Sequence, residues 1–445
     1  MRAYRGMADS SDGDVPERMG AHGMRMISWP RRIYYGWILV LALSFTEITS
    51  WGVLYYGFSV FITPLRQDLG WSTEQITGAF SLALLLSGIA ALPVGRWLDR
   101  HGPRLLMTVG SIAATLLVFA WSRVESVTAF YLIWAGLGLA MAAVLYEPAF
   151  AVIATWFVRG RARALTILTF VAGFASVIYI PLAAWLVGRY GWREALVILA
   201  VILGAGTIAP HALLLRRHPA DLGLAPDGAP VGPVASPTPV QPSITPREAL
   251  RDPTLWWIIA SFFLTMFANT AVTVHLIPYL IARGHGAGFA ATVAGAIGLL
   301  ALPGRLIFTP LGDRWERRHV TASIFLLQAV SIVVLLLTRS TVGVILFVIL
   351  FGAGFGAITP ARAALIADYY GSAHYGTISS IVALFFTAAR GAAPVAAGFL
   401  YTQTGDYASV FGALAGISAL AVLTMIPARR RLVETAAPSE LSRRA

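Results

Sequence analysis

Among its 445 residues the chain has no cysteine, and all 33 of its basic residues are arginine. The first absence excludes disulfides, thiolate metal sites and catalytic thiols. The second excludes a Schiff-base lysine and the lysine of a phosphate-binding loop. No zinc-ligand spacing and no Ser-His-Asp arrangement stands out either. The sequence therefore predicts a protein that is not an enzyme and that uses no cofactor and no metal.

Charge of either sign is also scarce. Only 12% of the residues are charged, 57% are hydrophobic and the mean hydropathy is +0.73, whereas soluble domains carry about a quarter charged residues. Water cannot solvate most of such a chain, so we expect it to lie in a lipid bilayer. Residues 1–33 contain no apolar run, which excludes a signal peptide there and leaves the first span to direct insertion.

Twelve apolar runs are long enough to cross a bilayer, which takes about 20 residues in a helix. They cover approximately 34–62, 73–95, 105–122, 127–155, 164–187, 194–215, 255–281, 289–311, 320–338, 341–366, 377–402 and 407–427. The prediction is an all-α membrane protein with twelve transmembrane helices.

The arginines predict the orientation. Twelve runs place both termini on one side of the membrane, together with the loops that follow the even-numbered runs. The segments on that side hold 24 arginines, the loops on the other side hold 6, and 3 arginines fall inside runs. Basic loops stay cytoplasmic, so we predict a multi-pass protein of the cell (inner) membrane with both termini in the cytoplasm. The net charge of +12 is spread over loops, with no stacking platform, and this argues against a nucleic-acid partner. We expect a monomer.

A charged segment occurs twice. Gly95–Arg104 reads GRWLDRHGPR, and Thr309–Arg318, which reads TPLGDRWERR, begins 214 positions later. Gly191 and Gly405, each just before an apolar run, are separated by the same 214 positions. Matching landmarks at one offset predict two pseudo-symmetric six-helix bundles, with the substrate site between them near the bilayer midplane.

A proline-rich segment separates the two bundles. Residues 216–253 contain nine prolines, a composition that indicates a flexible linker rather than a packed core. The predicted organisation is an N-terminal tail, a first bundle, a cytoplasmic linker, a second bundle and a cytoplasmic tail. Their bounds are 1–33, 34–215, 216–253, 254–427 and 428–445.

The first copy of the charged segment matches G-x-x-x-D-R-x-G-x-R, with its residues at Gly95, Asp99, Arg100, Gly102 and Arg104. In this position between the second and third runs, the pattern resembles that of the major facilitator superfamily. That resemblance covers about residues 30 to 430 and implies the major facilitator fold and a transporter that works by alternating access.

Shorter segments resemble one branch of that superfamily, the monocarboxylate transporters and oxalate/formate exchangers. They are Tyr35-Gly36-Trp37, Trp156–Arg161 (WFVRGR) and Pro219–Gly228 (PADLGLAPDG). The Gly-Pro-x-x-Gly-Gly element of drug/proton antiporters is missing from the fifth run. The branch implies a carboxylate as substrate.

The charged segments are candidates for a conformational latch. Asp99 is placed to pair with arginines or helix N-termini of neighbouring spans in one state, and Gly95 and Gly102 permit a tight turn and close approach. Arg100 and Arg104 share this segment. The second copy contributes Asp313 and Arg314. The alternative is a loop that only sets topology.

Three basic side chains in the second half are candidate substrate ligands: Arg305, Arg390 and His275. Arg305 precedes Asp313 by eight residues, which places it ~12 Å into the membrane. Basic residues in spans eight and eleven bind carboxylates in the branch that the chain resembles, and a guanidinium can donate two parallel hydrogen bonds to one carboxylate. The alternative is that the arginines pair permanently with Glu47 or Glu147, and that His275 is an interior hydrogen-bonding group.

Two carboxylates in the first half, Glu47 and Glu147, are candidates for proton coupling or gating. A carboxyl group in a dry cavity can load and release a proton. The alternative is a structural ion pair or a hydrogen bond at a helix kink. Arg362 lies closer to the end of its run, where we expect snorkelling or pairing with a loop.

Together these features predict a secondary active transporter for a small organic anion, a mono- or dicarboxylate, coupled to protons. Two alternatives within transport remain, an anion exchanger and an exporter or carrier of an unrelated small molecule. An alternative of another class is a membrane sensor that binds without transporting.

Overall fold

The computed structural model describes residues 34–228 and 244–429, and their secondary structure is helical. The predicted N-terminal tail, residues 229–243 of the predicted linker and residues 430–445 lie outside the described residues. Twelve helices are long and apolar enough to span a membrane, as predicted. Numbered in chain order as spans 1 to 12, they are Tyr35–Leu69, Gln75–His101, Pro103–Trp121, Val127–Trp156, Arg161–Tyr190, Trp192–Leu214, Pro253–Ala282, Gly288–Leu311, Arg317–Leu337, Thr341–Tyr370, Tyr375–Thr404 and Tyr407–Met425.

The packing of the spans repeats between the two halves. Spans 2 and 4 pack together and so do spans 3 and 6; their counterparts in the second half, spans 8 and 10 and spans 9 and 12, pack in the same way. Between the halves, span 2 packs on span 11 and span 5 on span 8. These two contacts are equivalent under the repeat, so a pseudo-two-fold axis relates the halves.

Buried apolar side chains form three clusters. One is shared by both halves and includes Phe157 and Tyr370, at the ends of spans 4 and 10. The other two belong to one half each, and Trp134 and Phe347 are representative members. The shared cluster lies towards the loops that follow the even-numbered spans, which we call the basic face. The halves are therefore joined at the basic face and have separate cores towards the opposite face.

Several predicted helix ends were wrong. Span 2 continues as a helix to His101, so most of the first charged segment is its last turns and not a loop. The chain reverses only at Gly102, whose φ of 78° favours glycine. Pro103 then begins span 3, where the missing N–H of proline costs nothing. Span 1 likewise continues to Leu69.

Two spans have local breaks that shape the interior. Span 1 contains a π-helical turn at Gly52–Tyr56, closed by a 2.8 Å bond from the Gly57 N–H to the Gly52 carbonyl. Span 4 breaks at Leu145, because Pro148 has no N–H and crowds the carbonyl four residues earlier. Breaks of this kind often mark functional positions.

The predicted linker is not uniformly irregular. Its described parts include short 3-10 helices at Pro219–Leu222 and Pro226–Gly228 and an α-helix at Pro246–Arg251. The proline-rich composition suggested no packing, but Pro219 and Ala249 are both buried.

Candidate functional site

Arg305 of span 8 reaches across the interface between the halves. Its Nη1 donates to the carbonyl of Thr169 in span 5, and its Nε donates to the carbonyl of Gly356 in span 10 over 3.3 Å. The side chain is half-buried. Both partners are neutral carbonyls, so the positive charge of Arg305 has no ion-pair partner among the described residues.

Arg390 lies at the middle of span 11 and is exposed. Its Nε is 3.3 Å from the sulfur of Met266, and its guanidinium lies over the ring of Phe386, 5.3 Å from the centroid. Tyr56 of span 1 is within electrostatic reach of both Arg390 and Arg305. Both arginines therefore act electrostatically on the same residue of span 1, and in the described ranges neither meets a carboxylate. Their predicted alternative, pairing with Glu47 or Glu147, is not what the structure shows.

His275 does not join this group. It is nine residues beyond Met266 along span 7, which corresponds to ~13 Å. Its Nε2 is 3.2 Å from the carbonyl of Pro394, and its ring lies 5.9 Å from that of Tyr407. This places His275 in a contact between spans 7 and 11 towards the opposite face, away from Met266 and Arg390.

Glu47 is enclosed in span 1 with an exposed fraction of 0%, and neither carboxyl oxygen has a hydrogen-bond partner in the described structure. The indole of Trp51, one turn further along, lies beside it without meeting hydrogen-bond geometry, and Glu147 is near enough to repel a negative charge. A buried charge without a partner is costly. The neutral, protonated form avoids that cost.

Glu147 joins the two halves. Its Oε1 accepts from Nη2 of Arg362 in span 10, and its Oε2 accepts from Oγ of Ser379 in span 11 over 2.6 Å. Arg362 is 4% exposed. The prediction that Arg362 snorkels or pairs with a loop is therefore wrong, because its partner is a carboxylate at the same depth in the other half.

Asp99 lies in the last turn of span 2, against the first turn of span 11. Its carboxylate accepts from the N–H of Gly376 at 2.8 Å, from the N–H of Thr377 at 2.9 Å and from the hydroxyl of Thr377 at 2.5 Å. The N-terminus of a helix offers free N–H groups and a positive dipole end, which suits a carboxylate. Gly95 permits this approach, because a Cβ there would collide with the Gly376 carbonyl and with Ser380.

The other members of the predicted latch stay within their own half. Arg104 donates from Nε to the Ala212 carbonyl at 2.6 Å, and Asp313 pairs with Arg317 at 2.8 Å. Partial burial raises the pKa of Asp313 even though Arg317 opposes the shift. Arg100 and Arg314 are exposed, and among the described residues neither makes a hydrogen bond or an ion pair with the other half.

A further ion pair between the halves was not predicted. Asp368, at the end of span 10, accepts from Nη1 of Arg161 in span 5 at 2.7 Å and also from Nε of Arg317. Arg161 is 1% exposed. An arginine flanking an apolar run was visible in the sequence, but its partner lies 207 positions away and no local pattern connects the two.

Asp227 fixes the loop that leads to Arg161. Its carboxylate accepts from three consecutive backbone N–H groups, those of Val158 at 3.0 Å, Arg159 at 2.7 Å and Gly160 at 3.0 Å. Asp227 itself has a φ of 58°. We call residues 219–228 the clip, because they fold back after span 6 and hold the loop between spans 4 and 5.

The comparisons with known proteins identify the class. The family model described as Major Facilitator Superfamily matches residues 40–342 and 287–445. The chain belongs to the major facilitator superfamily. It is therefore a membrane transporter and not an enzyme. In the described residues, no group of three or more His, Asp or Glu side chains could hold a metal ion.

Relatives of this transporter align over most of its length. An uncharacterized MFS-type transporter, YcxA of Bacillus subtilis (strain 168), is 24% identical over 87% of this chain and 94% of its own. Monocarboxylate transporter 13 of Rattus norvegicus is 26% identical over 85% of each chain. Among solved structures, the transporter FucP in the outward conformation has a TM-score of 0.71 at 15% identity and covers 89% of this chain and 100% of that one. The human organic anion transporter MFSD10 has a TM-score of 0.65 at 14% identity over 89% and 100%.

Proposed function

We propose that this transporter moves a small organic anion, a mono- or dicarboxylate, by alternating access. The observation that carries the proposal is the pair Arg305 and Arg390, which are both within electrostatic reach of Tyr56 and have no acidic partner among the described residues. A positive charge at mid-membrane costs about 2.5–3.5 kcal/mol, so a ligand that neutralises it is favoured. The monocarboxylate transporters among the relatives support the same substrate class.

The orientation follows from the arginine-rich loops. We assign the basic face to the cytoplasm, with both termini there and the protein in the cell membrane. The contacts of Asp99, Glu147 and Asp368 then close the cytoplasmic side, and in this proposal a ligand reaches the exposed Arg390 from outside. Transport requires these contacts to break so that the halves can rock about the site.

We assign proton coupling to Glu47. It is enclosed without a hydrogen-bond partner in the closed state, so it is best accommodated as a neutral carboxyl there. Rocking of the halves would expose it to the cytoplasm, where it could release its proton. Arg305 and Glu47 are both within electrostatic reach of Tyr146, which supports a coupling between the substrate and the proton.

Uptake into proteoliposomes across a panel of radiolabelled carboxylates tests the anion proposal. We expect Arg305→Ala and Arg390→Ala to lose at least about 10-fold in uptake, because a hydrogen-bonded charge contributes about 1.5–3 kcal/mol. Arg339→Ala, at an exposed arginine in the loop before span 10, is the matched control and retains uptake. Full carboxylate uptake by both site variants would contradict the proposal.

An imposed pH gradient tests the coupling. Acid outside should drive accumulation in the wild type, whereas Glu47→Gln should exchange labelled for unlabelled substrate without accumulating it. If uptake by the wild type does not respond to the gradient but is stimulated by substrate on the far side, the protein is an exchanger.

Cysteines that replace Glu125 and Ala220, both exposed, test the orientation in this cysteine-free chain. Labelling of both positions from the same side would overturn the orientation.

A further inference from the structure

The site contains a connected group of aromatic rings that its role in binding a carboxylate does not require. Trp51 of span 1 lies 5.0 Å from Tyr146 of span 4, 5.2 Å from Tyr55 and 6.2 Å from Tyr56, measured between ring centroids. Tyr55 and Tyr56 are themselves 5.2 Å apart. We call these four residues the ring wall.

The ring wall depends on the π-helical turn in span 1. That turn carries Tyr55 and Tyr56, and Gly52 at its start lies directly against the ring of Tyr179 in span 5. Each of the four side chains is only half-buried. Rings that served purely as packing would be enclosed, as Trp121 and Trp134 are at 1% and 0% exposure. Part of each side chain in the ring wall is therefore accessible to another molecule.

The ring wall meets the arginines. Tyr146 lies next to Arg305, and Tyr56 is within electrostatic reach of Arg305 and Arg390. Within the described residues, the hydroxyls of Tyr55 and Tyr56 make no hydrogen bond to the protein. A ligand held here by its carboxylate would have the rest of its body against aromatic surface.

We propose that the substrate is an aromatic carboxylate, whose carboxyl group binds Arg305 and Arg390 while its ring packs on the ring wall. This inference rests on the proposed function and narrows it. Aromatic pairs gain about 0.5–1.5 kcal/mol beyond the area they bury. An aromatic acid should therefore bind about 2- to 10-fold more tightly per ring contact than an alicyclic acid of the same size.

Two acids with the same carbon skeleton, one with an aromatic ring and one with a saturated ring, provide the test. Benzoate and cyclohexanecarboxylate, with acetate as a third probe, would be compared in proteoliposomes by direct uptake and by mutual competition. We expect benzoate to compete at least about 5-fold better than cyclohexanecarboxylate, within the range for one or two ring contacts. Equal competition by the two rings would overturn the inference and leave the proposed function intact. If no carboxylate is bound or transported, the proposed function fails and the inference with it.

Variants show whether the ring wall causes the preference for benzoate over cyclohexanecarboxylate. Tyr56→Leu should reduce the preference for benzoate by the contribution of one ring contact while cyclohexanecarboxylate still competes, and Tyr56→Phe should keep the preference. Trp185→Leu, at an aromatic residue 60% exposed on the surface of span 5, is the control and should change neither. Because the comparison of the two acids uses the wild type, it remains decisive even where a variant fails to fold. An unchanged preference in a folded Tyr56→Leu would contradict the role of this ring.

Discussion

The carboxylate of Asp99 offers a quantitative test of how the basic face is held closed. Replacing it with alanine removes three hydrogen bonds to the first turn of span 11, those to the two N–H groups and to the hydroxyl of Thr377. At about 1 kcal/mol net for each bond, the loss is about 3 kcal/mol. Because each 1.4 kcal/mol corresponds to about tenfold, the ratio of closed to open molecules should fall about 100-fold.

The labelling of one buried cysteine measures that ratio. Ser380 is 1% exposed, faces Gly95 across the interface, and can be replaced by cysteine with little change in shape. The chain has no other cysteine, so the rate of maleimide labelling at this position reports the opening of the basic face. We expect Asp99→Ala to raise that rate by up to about 100-fold.

The chain supplies a matched control for this substitution. Asp406 accepts the same number and kinds of bonds at the start of span 12, from Ala408 N–H at 2.9 Å, Ser409 N–H at 3.0 Å and the Ser409 hydroxyl at 3.3 Å. These contacts stay within one half, so Asp406→Ala should leave the labelling rate unchanged. Wild-type labelling in Asp99→Ala, or faster labelling in Asp406→Ala, would refute the assignment of Asp99 to the closure.

Three further predictions concern other charged contacts. Glu147→Arg and Arg362→Glu should each abolish transport, because each variant leaves two like charges buried together. The double variant should restore part of the uptake, and no recovery would count against a direct ion pair between the two residues. Asp227→Ala should speed labelling at the Ser380 cysteine by a smaller factor than Asp99→Ala, since it releases the loop before span 5 without removing a contact between the halves, and an unchanged rate would contradict the role of the clip. The N–H groups of Ala408 and Ser409 lower the pKa of Asp406. The ionised carboxylate therefore stabilises the protein at neutral pH, and this stabilisation is lost as the pH falls through the lowered pKa. The difference in Tm between the wild type and Asp406→Ala should therefore narrow on acidification.

The fold could be predicted because its causes are local. Each span is an apolar run of sufficient length, and the repeated charged segment sets the register of the second half, which in turn gives the depth of Arg305. The helix end at His101 was missed, because charged residues at a membrane surface continue a helix as readily as they end it. Only the glycine at 102 marked the true turn.

The contacts between the halves could be predicted only in part. For Asp99, the sequence predicted arginines or helix N-termini as partners. The partners of Glu147 and Arg161 could not be predicted, because they depend on which faces of distant helices meet. Asp227 escaped prediction for a different reason: its segment has the composition of a linker, and its packing depends on a left-handed residue that composition does not reveal.

The clip has a consequence for dividing the gene. The clip follows span 6 in the chain, and its Asp227 carboxylate binds backbone N–H groups that precede span 5. The clip therefore belongs to the first bundle. Two separately expressed fragments that separate after Gly228 would each keep a whole bundle, whereas fragments that separate before Pro219 would take the capping residue away from the loop it holds. The better place to divide this transporter thus lies at Gly228, 14 residues beyond Leu214 at the end of span 6.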